Sequence, residues 1–138
     1  MINNKNNKNN NTLSCPCESG QTFKHCCQPY LEQKQDTPTA EALMRSRYTA
    51  FVLQDESYLR YSWHPDNCPR IIHLNAETQW LGLKIKNTVA GGATDKMGEV
   101  EFVARSKISG RAHRLHEISL FARFENRWVY TSGKNTNK

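Results

Sequence analysis

Four of the chain's five cysteines fall in one short run, Cys15-Pro16-Cys17-Glu18-Ser19-Gly20-Gln21-Thr22-Phe23-Lys24-His25-Cys26-Cys27. The pattern is C-x-C-x8-C-C, two thiol pairs on either side of a short spacer. Zinc takes four soft ligands at tetrahedral corners, with each sulfur about 2.3 Å from the metal. Two pairs joined by a chain reversal meet that demand, and Ser19-Gly20 supplies a turn at which the chain can fold back. The expected ligands are Cys15, Cys17, Cys26 and Cys27, with His25 in reserve. All four corners would then come from protein, which leaves no position for a catalytic water, so the zinc expected here is structural. A segment of about twenty residues has almost no core, and the metal would supply most of its folding energy.

Other chemistries compete for the same thiols. Adjacent alpha carbons stand about 3.8 Å apart, whereas ordinary disulfides need at least about 4.4 Å. A Cys26–Cys27 bridge would be strained. Cys15–Cys26 or Cys17–Cys27 bridges stay open for an oxidising compartment. A redox role has only C-x-C to stand on, a weaker signal than C-x-x-C. Cys68 lies apart from the others and reads as a lone thiol.

These residues must be placed by the rest of the chain. Its 138 residues, 37% hydrophobic and 23% charged, make one modest core. No apolar run approaches the ~18 residues of a membrane span, and the first residues hold no apolar signal stretch. The expected location is the cytoplasm, without membrane insertion. The net charge is +6, but Lys5, Lys8, Lys134 and Lys138 lie in acid-free tails, and without them the body carries +2. Zinc on four thiolates would bring that to neutrality. The basic pI therefore belongs mostly to the tails, and nucleic-acid association through them is a weak third reading.

Residues 1–12 are Asn-rich and expected to be disordered. Residues 13–33 form the cysteine knuckle, 34–133 an α+β body, and 134–138 a polar tail. A helix is expected from a Thr37 cap and Pro38, with Glu41 near its positive end. Met44, Tyr48 and Phe51 share one face of it, with Leu43 and Ala50 beside them. A second helical stretch covers Asp55 to Trp63. Alternation then marks strands around 81–86, 99–108, 116–124 and 128–130, separated by Gly91-Gly92, Ser109-Gly110 and Glu125-Asn126. His116, Ile118, Leu120, Ala122 and Phe124 share a face of the third strand. Short links demand antiparallel pairing. Helices followed by a four-stranded antiparallel meander make an α+β layer fold, with one sheet face buried against the helices.

Arg45 and Arg47 lie two apart on the first helix and point in different directions. One reaching a pocket competes with solvation or pairing to Glu41. Trp63-His64 either lines a cavity or packs as a core tryptophan with a histidine at the chain reversal. His116 reads as a satisfied core or rim histidine.

The run C-P-C-x-S-G-x5-C-C resembles the SEC-C motif, first described at the C-terminus of the SecA translocation ATPase; family members carry Gly where this chain has Glu18. Further on, Leu43-Met44-Arg45-Ser46-Arg47-Tyr48-Thr49-Ala50-Phe51, Trp63-His64-Pro65, Trp80-Leu81-Gly82-Leu83, Phe102-Val103-Ala104-Arg105 and Arg127-Trp128-Val129-Tyr130 resemble the YchJ-like family of uncharacterised bacterial proteins. Many relatives carry a second SEC-C motif near the C-terminus, whereas residues 134–138 hold no cysteine. The resemblance implies a cystatin-like, nuclear-transport-factor-two-like cone behind the zinc knuckle. Such cones often enclose a pocket, here with Arg45, Tyr48, Tyr61, Trp63, His64 and Trp80 as its candidate lining.

The function expected is that of a non-catalytic, zinc-binding protein-interaction or adaptor module. Phe23, Lys24, Gln28 and Tyr30 are its expected exposed contacts. By resemblance, the partner belongs to the export, chaperone or ribosome-associated machinery. The alternative is a small-molecule binder or enzyme that uses the cone pocket, although no nucleophile and base are recognisably spaced. An exposed sheet edge or concave face makes a homodimer a further expectation.

Overall fold

The structure, a computed structural model, describes residues 13–136. The expectation of a disordered tail at 1–12 lies outside the described residues. The knuckle opens with a single antiparallel bridge between Ser14 and Thr22. A one-turn 3-10 helix (Phe23–His25) follows, then the short helix α1 (Gln28–Leu31). The body holds α2 (Ala40–Leu53), α3 (Glu56–Tyr61) and strands β1 (Thr78–Ala90), β2 (Met97–Ile108), β3 (Arg111–Phe124) and β4 (Arg127–Asn135). The strands form one antiparallel meander in the order β1-β2-β3-β4.

Helix α2 starts two residues later than expected. Thr39, not Thr37, is its cap: it lies in extended conformation and its hydroxyl accepts from the Ala42 N–H at 3.0 Å. The reason is tertiary. The Ala40 N–H donates to the Gly91 carbonyl at 2.9 Å, so the first turn is docked on the β1–β2 link. Gly91 sits at φ +80°, and a Cβ there would stand 2.8 Å from that of Ala40. Only glycine satisfies both the backbone conformation and the approach.

The buried side of α2 is wider than one stripe. Leu43, Met44, Tyr48 and Ala50 are buried as expected, but so are Ser46, Arg47 and Thr49. Three bodies crowd this helix. Ser46 shares a 2.7 Å hydrogen bond with the Tyr58 hydroxyl of α3, and Thr49 faces the knuckle thiols. Leu43, Met44 and Tyr48 pack with Leu83, Val100, Phe102 and Ala104 of the sheet. Helix α3 is capped by Asp55, whose carboxylate accepts from the Tyr58 N–H, and it is shorter than the stretch expected.

The hairpins obey turn chemistry. Ser109-Gly110 and Glu125-Asn126 place both central residues at positive φ, the mirror-image turn that matches strand twist. The face shared by His116, Ile118, Leu120, Ala122 and Phe124 is the one turned away from the helices. Leu115 and Glu117 pair with core-facing Ala104 and Phe102, and Ser119 and Phe121, further along the same face, are buried. Both faces of β3 carry apolar residues, so alternation alone did not show which face the helices cover.

Glu117 belongs to the interior of the cone, with Arg47 at its centre. The Arg47 side chain is 3% exposed. Its Nη1 donates to the Leu59 carbonyl at 2.9 Å and to the Ser62 hydroxyl at 2.8 Å. The guanidinium lies 4.7 Å from the Trp63 ring centre and 4.6 Å from that of Tyr130. The Tyr130 hydroxyl in turn donates to Glu117 at 3.3 Å. Burial pushes the Arg47 group down to about 10, so it stays cationic at neutral pH. The two rings meet edge-on 5.3 Å apart, and the cation sits over both at the corner they make, gaining from each quadrupole in a desolvated place. Replacing Arg47 by Met leaves the Leu59 carbonyl with only the longer 3.3 Å contact from the Ser62 hydroxyl and takes the cation from both rings, at an expected cost of about 3 kcal/mol. Arg47→Lys restores the charge but not the plane and recovers less than half of the loss. Urea denaturation of both variants measures this, and a loss below about 1 kcal/mol for Arg47→Met would deny the residue a structural role.

Candidate metal centre

The knuckle folds back through local bonds. The Cys15 N–H donates to the Gln21 carbonyl at 2.8 Å and the Phe23 N–H to that of Leu13 at 2.9 Å. Between them the turn places Glu18 at φ 63°, a left-handed position that glycine adopts at less cost. The sequence resemblance assigns glycine to that position. The Cys26 N–H closes the 3-10 turn on the Phe23 carbonyl, and Cys27 begins α1.

These turns bring the four sulfurs of Cys15, Cys17, Cys26 and Cys27 within 4.8 Å of one another. Cys17 and Cys26 sulfurs are 3.6 Å apart, and those of Cys26 and Cys27 are 4.0 Å apart. A tetrahedron with sulfur ligands at about 2.3 Å has edges of about 3.8 Å. The distances fit a four-sulfur cation site, and all five cysteines are free thiols. His25 turns elsewhere, with its Nδ1 3.1 Å from the Thr22 hydroxyl.

The surroundings are polarised for anionic sulfur. The Thr49 hydroxyl donates to Cys27 at 3.4 Å and lies 3.8 Å from Cys15. The Ser19 hydroxyl is 3.1 Å from Cys26. Arg45 donates to the Cys17 carbonyl at 2.8 Å while its Nε holds Glu41 at 3.0 Å. Hydrogen bonding from Cys15, then from Cys27, holds the Cys17 thiol far below its ordinary range. Burial pushes Cys26 up to about 11. Cys27 is pushed up by sharing protons with Cys15 and Cys17 and by burial.

The knuckle is not an appendage with its own small interior. Cys15, Cys17 and Cys27 belong to the main hydrophobic core, together with Leu43, Met44 and Tyr48. Three of the four expected surface contacts, Phe23, Gln28 and Tyr30, are correspondingly half-buried. Phe23 packs on that same core, and Tyr30 packs on a second cluster of Ala50, Tyr58, Leu59 and Ile72. Lys24 is exposed, and Gln28 is half-buried with its amide donating to Glu32 at 3.0 Å. The outer surface here is a shallow cavity of about 370 Å³, lined by Lys24, Gln28, Pro29, Glu32 and Lys34.

The six candidate pocket residues lie in separate places. Arg45 grips the knuckle, and Tyr48 meets Trp80 edge-on at 5.6 Å. Tyr61 stacks under Arg127 at 4.1 Å. Trp63 packs on Tyr130 at 5.3 Å, and His64 lies 5.3 Å from Phe124. Tyr61 and Trp63 share a cavity of about 290 Å³ with Cys68, while Trp80 borders another of about 140 Å³. His116 holds Glu101 at 2.7 Å on the outer sheet face. Sequence reasoning missed a cavity of about 500 Å³, rimmed by Arg45, Lys84, Lys86, Arg105 and Arg114. The hairpin register around Ser109-Gly110 was the available signal, because it sets Arg105 directly opposite Arg114.

Cation binding must displace the protons held on Cys26 and Cys27, so affinity is expected to rise with pH, by about tenfold per displaced proton per pH unit. Competition against a chromophoric chelator between about pH 6 and 8 reads this, and a flat profile would exclude thiolate ligation. Thr49→Val removes the hydroxyl that donates to Cys27, and the same assay should show affinity lowered about tenfold.

Comparison with known proteins agrees with this geometry. A family model described as YchJ, middle NTF2-like domain, matches residues 39–133, and the SEC-C motif matches residues 13–29. A UPF0225 protein of Chromobacterium violaceum is 46% identical over 124 residues, covering 87% of this chain and 91% of the relative. One from Deinococcus radiodurans is 43% identical over 117 residues, covering 84% and 85%. Among solved structures, a SEC-C motif containing protein from Rhodopseudomonas palustris is 31% identical with a TM-score of 0.80, covering 91% of this chain and 100% of that one. Another, from Psychrobacter arcticus, is 26% identical with a TM-score of 0.70, covering 90% and 83%. A cysteine knuckle sharing its core with a cone of helices on a four-stranded meander, matched along most of its length, makes this chain a member of the YchJ-like UPF0225 family of SEC-C motif proteins.

Proposed function

We propose that the chain is a non-catalytic adaptor whose knuckle, held by one zinc on Cys15, Cys17, Cys26 and Cys27, docks a protein partner. The observation that carries this is the convergence of four protein sulfurs within 4.8 Å. Four protein ligands complete a tetrahedron, so the cation would act as a crosslink and polarise no substrate. The interior of the cone supports the same reading. Arg47 is buried there against Trp63 and Tyr130 and lines none of the cavities described above. The pocket alternative has less to draw on, because Arg45, Tyr48 and His64 do not meet around one cavity.

The docking surface is the shallow cavity lined by Lys24, Gln28, Pro29, Glu32 and Lys34. Its cations and amide are solvent-facing, while the residues behind them are tied to the core. Among the described residues no helix is long and apolar enough to cross a membrane.

The test places a photoactivatable amino acid at position 24 of the full chain in its native cell. One discrete protein adduct is expected under light, and it should vanish when Cys15 and Cys17 are changed to Ser. If no adduct forms from position 24 or from position 28, or if it survives loss of the thiols, the knuckle is not the docking surface. Metal analysis of the reduced protein should return one zinc per chain, and well under one removes the crosslink from the account.

A further inference from the structure

The four cysteines of the knuckle are unequally accessible. Cys15, Cys17 and Cys27 are 3%, 0% and 1% exposed, whereas Cys26 is half-buried. The residues before it, Lys24 and His25, are exposed, and so is Ser19, whose hydroxyl lies 3.1 Å from the Cys26 sulfur. A small reagent in solution therefore meets the quartet at Cys26. Ligation of a cation keeps all four sulfurs as thiolates. Oxidation of cysteine follows thiolate character and exposure, and of the four only Cys26 has both.

A second sulfur stands directly behind it. Cys17 lies 3.6 Å from Cys26, so closing by about 1.5 Å brings the pair to the disulfide length of about 2.05 Å. The other two thiols are worse placed. Cys27 is 4.0 Å away and adjacent in sequence, and alpha carbons about 3.8 Å apart are too near for an ordinary bridge. The Thr49 hydroxyl donates to Cys27 at 3.4 Å and lies 3.8 Å from Cys15, which holds both against α2.

We infer that Cys26 is an oxidation site at which hydrogen peroxide or a related small hydroperoxide opens the knuckle, with Cys17 as the resolving thiol. The inference rests on the zinc crosslink of the adaptor reading and adds its regulation. The Cys26 thiolate attacks one peroxide oxygen. An S–O bond forms, the O–O bond breaks, and the departing hydroxide takes up a proton as water. The sulfur has given two electrons to the peroxide and is now a sulfenic acid. The Cys17 thiolate attacks that sulfur, S–S forms as S–O breaks, and a second hydroxide leaves as water with another proton. Two thiolates, one peroxide and two protons thus become one disulfide and two waters. Cys15 and Cys27 are then the remaining thiolates for a cation that takes four ligands, and the crosslink is lost. Cys26 sits in sequence between Lys24 and Gln28, which line the docking cavity, so the same step loosens that surface. A dithiol reductant reverses it.

The experiment uses the reduced, zinc-loaded full chain carrying Cys68→Ser, which removes the thiol outside the knuckle. Hydrogen peroxide is added with a chromophoric chelator, and zinc release is followed. Release is expected at least about tenfold faster than without peroxide, and one zinc should rebind per chain after reduction by a dithiol. Trypsin cuts after Lys24, between the two thiol pairs, so the oxidised chain should yield one linked pair of peptides. Fragmentation should place the bond between Cys17 and Cys26. A dione that traps sulfenic acids, added with the peroxide, should label Cys26 in place of the disulfide. The inference is overturned if peroxide leaves the release rate unchanged, if Cys15, Cys17 or Cys27 carries the label, or if the bond joins any other pair. The two readings fail separately. One zinc per chain that peroxide does not release removes the inference and leaves the crosslink, whereas a reduced chain that takes up well under one zinc removes both.

Discussion

Four sulfurs packed against one another at the edge of a hydrophobic core constitute an electrostatic problem that a cation solves. Left as thiolates they would repel, and left as thiols they would fill the space with poor hydrogen-bonding groups. The residues around them anticipate the charged form. Thr49 and Ser19 aim hydroxyls at sulfur, and Arg45 binds the Cys17 backbone. Thr49 and Arg45 both project from α2, so the helix that organises the sheet also organises the sulfurs. Knuckle and body therefore share one interior.

What was legible in the sequence followed the range of the interactions involved. The cysteine quartet was readable because its partners lie within one turn and its chemistry admits few alternatives. The meander was readable because alternation and the pairs Ser109-Gly110 and Glu125-Asn126 are local signals. Arg47 was not, since Leu59, Ser62, Trp63 and Tyr130, which make a buried cation tolerable there, are assembled only by the finished fold. The cap of α2 moved from Thr37 to Thr39 for a related reason: a carbonyl some fifty residues away decides where the helix docks. Charge distribution was hidden too. Net arithmetic made the body look nearly neutral, yet register gathers Lys84, Arg105 and Arg114 around one cleft.

The cone shows how a fold known for enclosing pockets can be filled by its own side chains. A guanidinium against Trp63 and Tyr130, held by the Leu59 carbonyl and the Ser62 hydroxyl and adjoining the phenol that donates to Glu117, occupies the interior. It ties α2 to the end of α3 and to β4, because one side chain reaches the Leu59 carbonyl, the Ser62 hydroxyl and the Tyr130 ring together.

The corner where α2 meets the β1–β2 link adds a constraint of another kind. Ala40, Gly91 and Gly98 converge there, and a Cβ on Gly98 would come within 2.6 Å of the Gly91 Cα. Each of the three is held to its present size by the other two. Substitutional drift at this corner can only run toward residues no larger than those already present. Selection at these positions acts on volume and, at Gly91, on backbone conformation too, and neither depends on what the four thiols hold.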